Sequence, residues 1–375
     1  MIQLIEDLGN YHPKNEYSDF VKNYYRDIIK FWTKKYISNI DVEIQLLEVN
    51  WTLVPISIGN NKENCYTTSI IWSLNYASEE LKKEKNIMKS YIYRKALKLI
   101  KTILFKLWIE NNIYIWNFLL STNILPNLSK EDITELVIYL NNKYKNKCLI
   151  FRSVNSKITY DLKIQLENVW FNKIASRQIF FFSKNQIWVI WNMKDNKYDE
   201  KLVYKINPQL IDFQTPEFSK EVEQLKGCYD ELYISKYTSL NPNFTLEYYK
   251  NIITNKYFTI KWILINNEIV AVYWFYSINK ISTTPIFWYI LDKNKEFGLY
   301  RIITNKTIHE ALEQNEILNH SSWAWRFKLN RWANFDLEYS YFYSKNLSIT
   351  GKLWWFILEK ISRYIIAPNL QNNIY

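Results

Sequence analysis

Five glycines stand against 16 tryptophans in this chain of 375 residues. That ratio bears directly on what the backbone can do. Tight turns and close approaches to a ligand call for positive φ angles, which glycine adopts freely and a tryptophan side chain opposes. Average glycine usage is about 7%, and converting every tryptophan would bring the chain to about 5.6%, near that norm. One expectation follows: many of these tryptophans are glycines in the organism, from UGA codons that it reads as glycine. The other is a chain truly rich in tryptophan and poor in glycine.

The length exceeds that at which single cores stop growing, so two domains of about 180 residues are expected. With 48% hydrophobic and 23% charged residues the composition is that of a soluble globular protein. The formal charge of +11 points to a nucleic acid, an anionic cofactor or an anionic membrane surface. Abundant Lys, Asn, Ile and Tyr, all with AT-rich codons, give the lysine excess a second origin in nucleotide composition. Cys65, Cys148 and Cys228 are odd in number and far apart, which argues against a disulfide framework or zinc site and fits a reducing, cytoplasmic compartment.

No signal peptide is evident in "MIQLIEDLGNYHPKNEY". The most apolar stretch, "TILFKLWIENNIYIWNFLL", is interrupted by Lys106, Glu110, Asn111 and Asn112, so no transmembrane segment is expected. The C-terminal "GKLWWFILEKISRYIIAP" is aromatic, basic and amphipathic. Such a stretch either closes a core or makes peripheral contact with a membrane surface.

Periodicity predicts a helix over 15–38, strands in "DVEIQLLEV" and "WTLVPISI", helix from about Tyr76 to Glu110, and a strand in "IYIWNFLLS". "LPNLSKEDITELVIYLNNKYKN" predicts a helix opened by Ser129 with Asp132 in capping-box position. "KCLIFRSV", "TYDLKIQLENVW" and "SRQIFFFS" then read as strand, helix and strand. The polar stretch at 184–215 is the expected boundary, giving domains 1–190 and 191–375. Beyond it come helices in "PEFSKEVEQLKGCYDELYISKYTSL" and "FTLEYYKNIITN", then three strands in "YFTIKWILINN", "EIVAVYWFYSIN" and "KISTTPIFWYIL". A helix over "FGLYRIITNKTIHEALEQNE", strands in "ILNHSS" and "DLEYSYFYS", and the final helix complete the series.

Two helices, a strand meander, a helix and further strands is the order of a Gcn5-related acyltransferase (GNAT) fold. The second half resembles the Fem-like and CelD-like branch of that superfamily in "NNEIVAVYWFY", "STTPIFWYI", "FGLYRIITNKTIHEA" and "HSSWAWRFKLNRW". The first half resembles a degenerate copy. The resemblance implies an α/β (α+β) protein of two tandem GNAT-like domains, each a mixed central sheet flanked by helices. It also implies that Trp323, Trp325 and Trp332, with Trp170, Trp274 and Trp288, stand where relatives tend to carry glycine.

The function this resemblance implies is acyl transfer from a thioester, acyl-CoA (acetyl-CoA) by default, to an amine or hydroxyl acceptor, with no metal. "KEFGLYRII" occupies the place of the donor pyrophosphate loop and offers Lys295, Gly298, Leu299, Tyr300 and Arg301. It departs from the family's usual Arg/Gln-x-x-Gly-x-Gly/Ala pattern. His320 has an unperturbed pKa near neutrality and is a candidate general base beside Ser322, while Lys328 falls on the lysine of the Fem/CelD pattern. Arg326 and Arg331 are candidates for binding a phosphate or carboxylate. Arg152, Asn155, Arg177, Lys236 and Tyr237 are candidates for a substrate cleft between the halves. Caps, turns and solvated faces account for the same residues equally well.

Three alternatives stay open. A Fem-like enzyme takes an amino acid from aminoacyl-tRNA to a cell-envelope precursor, which gives the basic charge a tRNA meaning. A GNAT scaffold without activity serves as a binding module. A nucleic-acid or membrane-surface protein uses charge alone. No Walker A loop, G-x-G-x-x-G, G-x-S-x-G or His-rich motif is present.

Overall fold

The computed structural model of the protein describes residues 2–62, 64–81, 87–213 and 220–372. The first half runs β1 (Ile2–Ile5), α1 (Glu16–Tyr25), β2 (Glu43–Val49), β3 (Thr52–Ile58), α2 (Trp72–Glu80), α3 (Ile87–Lys106), β4 (Asn112–Ile115), α4 (Lys130–Lys143), β5 (Cys148–Val154), α5 (Tyr160–Asn168) and β6 (Asn172–Ser183). After α6 (Ile187–Asn192) and α7 (Lys194–Ile206), the second half begins with β7 (Gln209–Asp212), α8 (Val222–Tyr229), α9 (Leu246–Ile253), β8 (Phe258–Ile265) and β9 (Glu268–Ile278). It continues through β10 (Ile281–Thr283), β11 (Phe287–Tyr289), α10 (Leu291–Phe297), α11 (Leu299–Glu313), β12 (Ile317–Asn319), α12 (Trp325–Leu329), β13 (Asn334–Tyr343), α13 (Ile349–Ile361) and α14 (Ala367–Asn372).

Local chemistry explains many of these boundaries. The capping box of α4 is formed: Ser129 Oγ accepts from Asp132 N at 3.1 Å, and the Asp132 carboxylate accepts from Ser129 N at 3.0 Å. Asn50–Trp51, Asn266–Asn267 and Asn279–Lys280 make two-residue hairpin loops with both φ angles positive, the type I′ geometry that matches strand twist. Other expectations need correction. The helix expected over 15–38 ends at Tyr25, with a short 3₁₀ turn at Thr33–Lys35. The strand expected in "IYIWNFLLS" stops at Ile115, because Trp116 takes φ 55°. The segment expected as a polar linker holds α6, α7 and β7; Gln214–Ser219, and with them the start of the "PEFSK" helix, lie outside the described residues. Residues 82–86, within the helix expected from Tyr76 to Glu110, lie outside them too.

One mixed sheet crosses the molecule in the order β1-β2-β3-β4-β5-β13-β6-β12-β10-β9-β8-β7. Reading inward from either edge gives the same series: three antiparallel pairings, then one parallel pairing, β4 with β5 and β10 with β12. At the centre the halves exchange strands. β13, from the second half, lies between β5 and β6, while β6, from the first, lies between β12 and β13. The largest core cluster spans both halves, and polar contacts stitch it there. Tyr24 Oη donates to Phe118 O at 2.6 Å and meets Tyr248 Oη at 3.2 Å, and Tyr276 Oη donates to Thr122 O at 2.9 Å. β5 is buried along its whole length, as expected of a strand covered on both faces.

Each parallel pair splays apart at its C-terminal end. In the second half Tyr276 faces Thr283 and Tyr273 faces Phe287, so one extra residue bulges from the β10–β11 side. β12 stays paired with β10 only through Asn319. In the first half, Arg152 of β5 fills the corresponding gap, its Nη1 donating to Thr67 O (3.1 Å), Asn117 Oδ1 (3.0 Å) and Leu120 O (3.4 Å).

Five tryptophans lie at positive φ: Trp51, Trp108, Trp116, Trp170 and Trp332. The chain has 30 tyrosines and 20 phenylalanines, and none of those described does so. Trp108, Trp170 and Trp332 each close a helix in a Schellman motif. The pairs Ile109 N to Leu104 O and Trp108 N to Phe105 O define the first; Phe171 N to Leu166 O and Trp170 N to Glu167 O the second; Ala333 N to Lys328 O and Trp332 N to Leu329 O the third. Glycine, or asparagine, is the usual residue there, and Asn315 holds the same place after α11.

Strand exchange predicts that residues 1–190 alone do not fold, since β5 and β6 lose their shared neighbour. Circular dichroism and urea titration are expected to show no cooperative transition until 191–375 is supplied in trans. Cooperative unfolding of the isolated fragment would show that β13 is dispensable.

Candidate functional site

The chain leaves β12 still paired to β6, with His320 N donating to Phe180 O at 2.9 Å and Phe180 N to Ser321 O at 3.1 Å. Ser321 and Ala324 take positive φ, and this double turn reverses the chain into α12. Lys328 is thereby folded back beneath the strand end. Its Nζ donates to His320 O at 2.5 Å and Ser321 O at 3.2 Å, and lies 5.5 Å from the Phe180 ring. Among the described residues no carboxylate lies within ion-pair distance of it. Burial, then the charge of Arg177, pushes the Lys328 ammonium well below its ordinary range. Burial, then Lys328, does the same to the His320 imidazole, whose two ring nitrogens are buried without a hydrogen-bond partner. Burial thus opposes the charged form of both basic groups.

Arg177 of β6 ties this corner to the other half. It forms a bidentate pair with Glu338 of β13 (Nε to Oε1 2.9 Å, Nη2 to Oε2 3.1 Å) and donates to Ser321 Oγ at 3.2 Å, Ser121 O at 2.8 Å and Thr122 Oγ1 at 3.0 Å. Burial opposes its charge, but Glu338 outweighs burial and raises its pKa. Arg152 lacks such a carboxylate, and burial lowers its pKa.

Just past the end of α12, Arg331 lines a cavity of about 510 Å³ together with Asp195, Tyr198, Lys201, Leu202 and Lys205 of α7 and Arg301 of α11. Buried Asp199 clamps both guanidiniums, its Oδ1 accepting from Arg301 Nε and its Oδ2 from Arg331 Nε, each at 2.6 Å. Arg331 also stacks over Phe327, 3.3 Å from the ring centre. Four cations against Asp195 and Asp199 leave the cavity net positive.

An aromatic chain connects cavity and strand end. Phe327 meets Tyr300 at 4.7 Å, Tyr300 meets Phe287 at 5.6 Å, and Phe287 N donates to Tyr233 Oη at 3.3 Å. Tyr233 contacts Tyr237, which stacks on Trp323 at 5.4 Å. These rings border the gap between β11 and the end of β12.

The expected phosphate loop is built differently. Gly298 does take a positive φ, 65°, and an added Cβ would lie 2.9 Å from Leu202. The first amides of α11 are already used, however. Tyr300 N donates to Asn294 Oδ1 and Arg301 N to Gly298 O, each at 2.9 Å. Leu299 is buried in the core and Lys295 points to solvent on α10. Positive charge here comes from side chains instead of a backbone cradle. His320, Lys328, Arg177 and Arg331 converge around α12, with Tyr237 on the aromatic rim. Ser321, and not Ser322, meets Arg177. Asn155 is committed to the turn before α5, its Oδ1 accepting from Lys157 N and Ile158 N. Lys236 and Arg326 are exposed beside aromatic rings. Asp199, Glu338, Thr122, Lys201 and Lys205 were not singled out from the sequence. The spacing of Asp195 and Asp199, one helical turn apart in "KDNKYDEKLVYKI", was the available signal.

A sheet in which each half contributes an antiparallel meander and one splayed parallel pair, with helices on its faces, is a tandem GNAT-like fold. No family model matches the sequence, and no curated protein matches it. Among solved structures, a conserved protein of unknown function from Bacteroides thetaiotaomicron VPI-5482 is similar over 91% of this chain and 99% of its own, at 12% identity and TM-score 0.53. FemX is similar over 66% of this chain and 83% of its own (8% identity, TM-score 0.49), and a tandem GNAT protein from the clavulanic acid biosynthesis pathway over 92% and 98% (5% identity, TM-score 0.43). At these identities the likeness concerns the fold alone. Among the described residues no group of three or more His, Cys, Asp or Glu is placed to hold a metal ion.

The lowered pKa of Lys328 predicts a pH signature. The unfolded chain binds a proton there that the folded chain does not, so stability rises with pH below the ordinary lysine value, by up to about 1.4 kcal/mol per pH unit. Urea titrations at pH 8.5 and 9.5, just below the ordinary lysine value, are expected to show this rise in the parent and a flatter profile in Lys328→Met. An equal slope in both would mean that Lys328 is charged in the fold.

Proposed function

We propose that the protein is a GNAT-type acyltransferase that moves an acyl group from acyl-CoA to an amine or hydroxyl acceptor. The observation that supports this most is the position of α12, which carries Arg331 into a cationic cavity and Lys328 to the end of a splayed parallel strand pair. The cavity, at about 510 Å³, is of ligand size. Lys201, Lys205, Arg301 and Arg331 hold the donor's phosphates there, and the thioester reaches toward His320 along the gap bordered by Tyr300, Phe327 and Tyr237. In the transfer the acceptor nitrogen or oxygen bonds to the acyl carbon, the carbon–sulfur bond breaks, and the sulfur leaves as thiol. The His320 imidazole takes the acceptor's proton and passes it to the leaving sulfur, and Lys328 fixes the strand end that carries His320 through its bonds to His320 O and Ser321 O.

Lys201 and Lys205 are exposed, so reversing them perturbs the cavity without touching the core. Lys201→Glu with Lys205→Glu is expected to weaken acyl-CoA binding at least about tenfold by calorimetry, by loss of charge-assisted contacts to phosphate. Thiol release with a panel of amines reports turnover. Binding of aminoacyl-tRNA with no effect of acyl-CoA would favour the Fem-like donor instead, and binding without thiol release a non-catalytic module.

We also propose that Trp51, Trp108, Trp170 and Trp332 are glycines in the organism. Each is exposed, each has φ between 58° and 69°, and each closes a hairpin or a helix where glycine is the favoured residue. Trp116 differs. It fills the core, its Nε1 donating to Ile124 O at 2.7 Å, and stays tryptophan. Trp274 and Trp288 are buried strand residues and Trp325 is helical, so no backbone requirement calls for glycine there. Peptide mass spectrometry of the natively expressed protein is expected to show glycine at these four positions and tryptophan at 116. Tryptophan at all five would overturn the recoding.

A further inference from the structure

Beyond the transferase reading, and independent of it, α3 stands out for the apolar side chains it leaves in solvent. Its segment IMKSYIYRKALKLIKTILFK carries Lys89, Arg94, Lys95, Lys98, Lys101 and Lys106 and no acidic residue. A helix so basic is ordinarily solvated on most of its surface. Here its apolar residues are solvated as well: Met88 is 68% exposed, Ile92 57%, Leu99 63% and Ile103 39%. At 3.6 residues per turn these four fall within about 60° of one another, so they form one stripe. Apolar contact with the body is made near the C-terminal end, where Leu104 is buried and Phe105 packs against the same cluster, while near the start buried Ser90 donates to Leu81 O. The helix stands out from the protein with a greasy stripe flanked by lysines.

A second element of the same character shares its footing. Leu104 sits in one apolar cluster with Tyr114, Ile150, Phe342 and Trp355, and Trp355 belongs to α13. α13 therefore packs over the same part of the sheet. It too leaves apolar side chains in solvent, Leu353 and Phe356 among them, beside Lys352 and Lys360. The C-terminal stretch closes a core with one side and is open on the other. No helix among the described residues is long and apolar enough to cross a membrane.

We infer that α3, supported by α13, is a docking surface for an anionic phospholipid bilayer, lying in the interfacial plane. Charge selects this occupant. A second copy would set six cations against six, and RNA would satisfy the lysines while leaving Met88, Ile92, Leu99 and Ile103 in water. An anionic bilayer takes both, with apolar side chains entering the acyl boundary and lysine stems extending to the headgroups.

The test is vesicle flotation of the full chain with phosphatidylcholine alone and with phosphatidylcholine containing 30 mol% phosphatidylglycerol (about one lipid in three, an ordinary anionic surface). The expected result is binding to the anionic vesicles only, weakened at least tenfold by Ile92→Asp with Leu99→Asp and separately by Lys95→Glu with Lys98→Glu. All four positions are exposed, so an unchanged thermal melt identifies a surface effect. No flotation with either vesicle, equal flotation with both, or binding that survives Ile92→Asp with Leu99→Asp overturns the proposal. So does a concentration-dependent dimer in light scattering, or tRNA binding that only the lysine reversals abolish, in the absence of flotation.

Discussion

The pairing of β13 with β5 on one side and β6 on the other is the constraint on which the rest of the structure depends. Each half makes a four-stranded meander and one parallel pair, and each then lacks the strand that would continue it. An unpaired edge there would leave backbone donors and acceptors of a buried strand without partners, which is far more costly than an exposed edge. Exchange satisfies both edges at once. It also pairs Arg177 with Glu338 across the halves and lets Arg177 reach the turn that follows His320. The site is a consequence of how the sheet is completed.

At that junction charge is distributed unequally. Glu338 neutralises Arg177, and Asp199 serves Arg301 and Arg331 together, whereas Lys328 has only carbonyl oxygens and a phenyl ring. A buried cation with a carboxylate is a structural device; a buried amine without one destabilises the fold unless it gives up its proton. The same contrast separates the two halves. Arg152 plugs the splayed pair of the first with three acceptors, while the second retains a gap bordered by aromatic rings.

Features set by neighbouring residues were legible in the sequence. The Ser129 capping box, the alternation of β2 and β3, and the helical period of α11 each depend on contacts within a few residues. Lys328, His320 and Arg331 drew notice because a strand end followed by a basic turn has a local signature, and Arg177 because polar residues open its strand. What was missed is non-local. Asp199 reads as one more charge in a polar stretch until α7 folds onto α11, and Glu338 reads as an exposed strand residue until β13 crosses to the other half. Asn155 was overvalued for a related reason, since an Asx turn and a ligand site use the same side-chain oxygen. The stretch expected as a phosphate loop does not offer a free backbone cradle, because the Asn294 side chain caps the Tyr300 amide, a commitment the sequence pattern does not reveal.

The glycine deficit now has a geometric form. If tryptophan were merely common in this protein, its distribution over backbone conformations would follow that of the other large aromatics, which among the described residues avoid the left-handed region altogether. Instead, four exposed tryptophans occupy it, three of them in the same six-residue hydrogen-bond motif that Asn315 completes after α11. The composition alone could not distinguish which tryptophans matter, and the residues first suspected around 323 and 325 lie outside the left-handed region. Backbone geometry does distinguish them, because a Schellman turn fixes φ through two amide hydrogen bonds whatever side chain is attached. Trp332 is the case that joins this argument to the site. It terminates α12, and the turn it closes follows directly on Lys328 and Arg331, the two cations bound to the strand end and to Asp199.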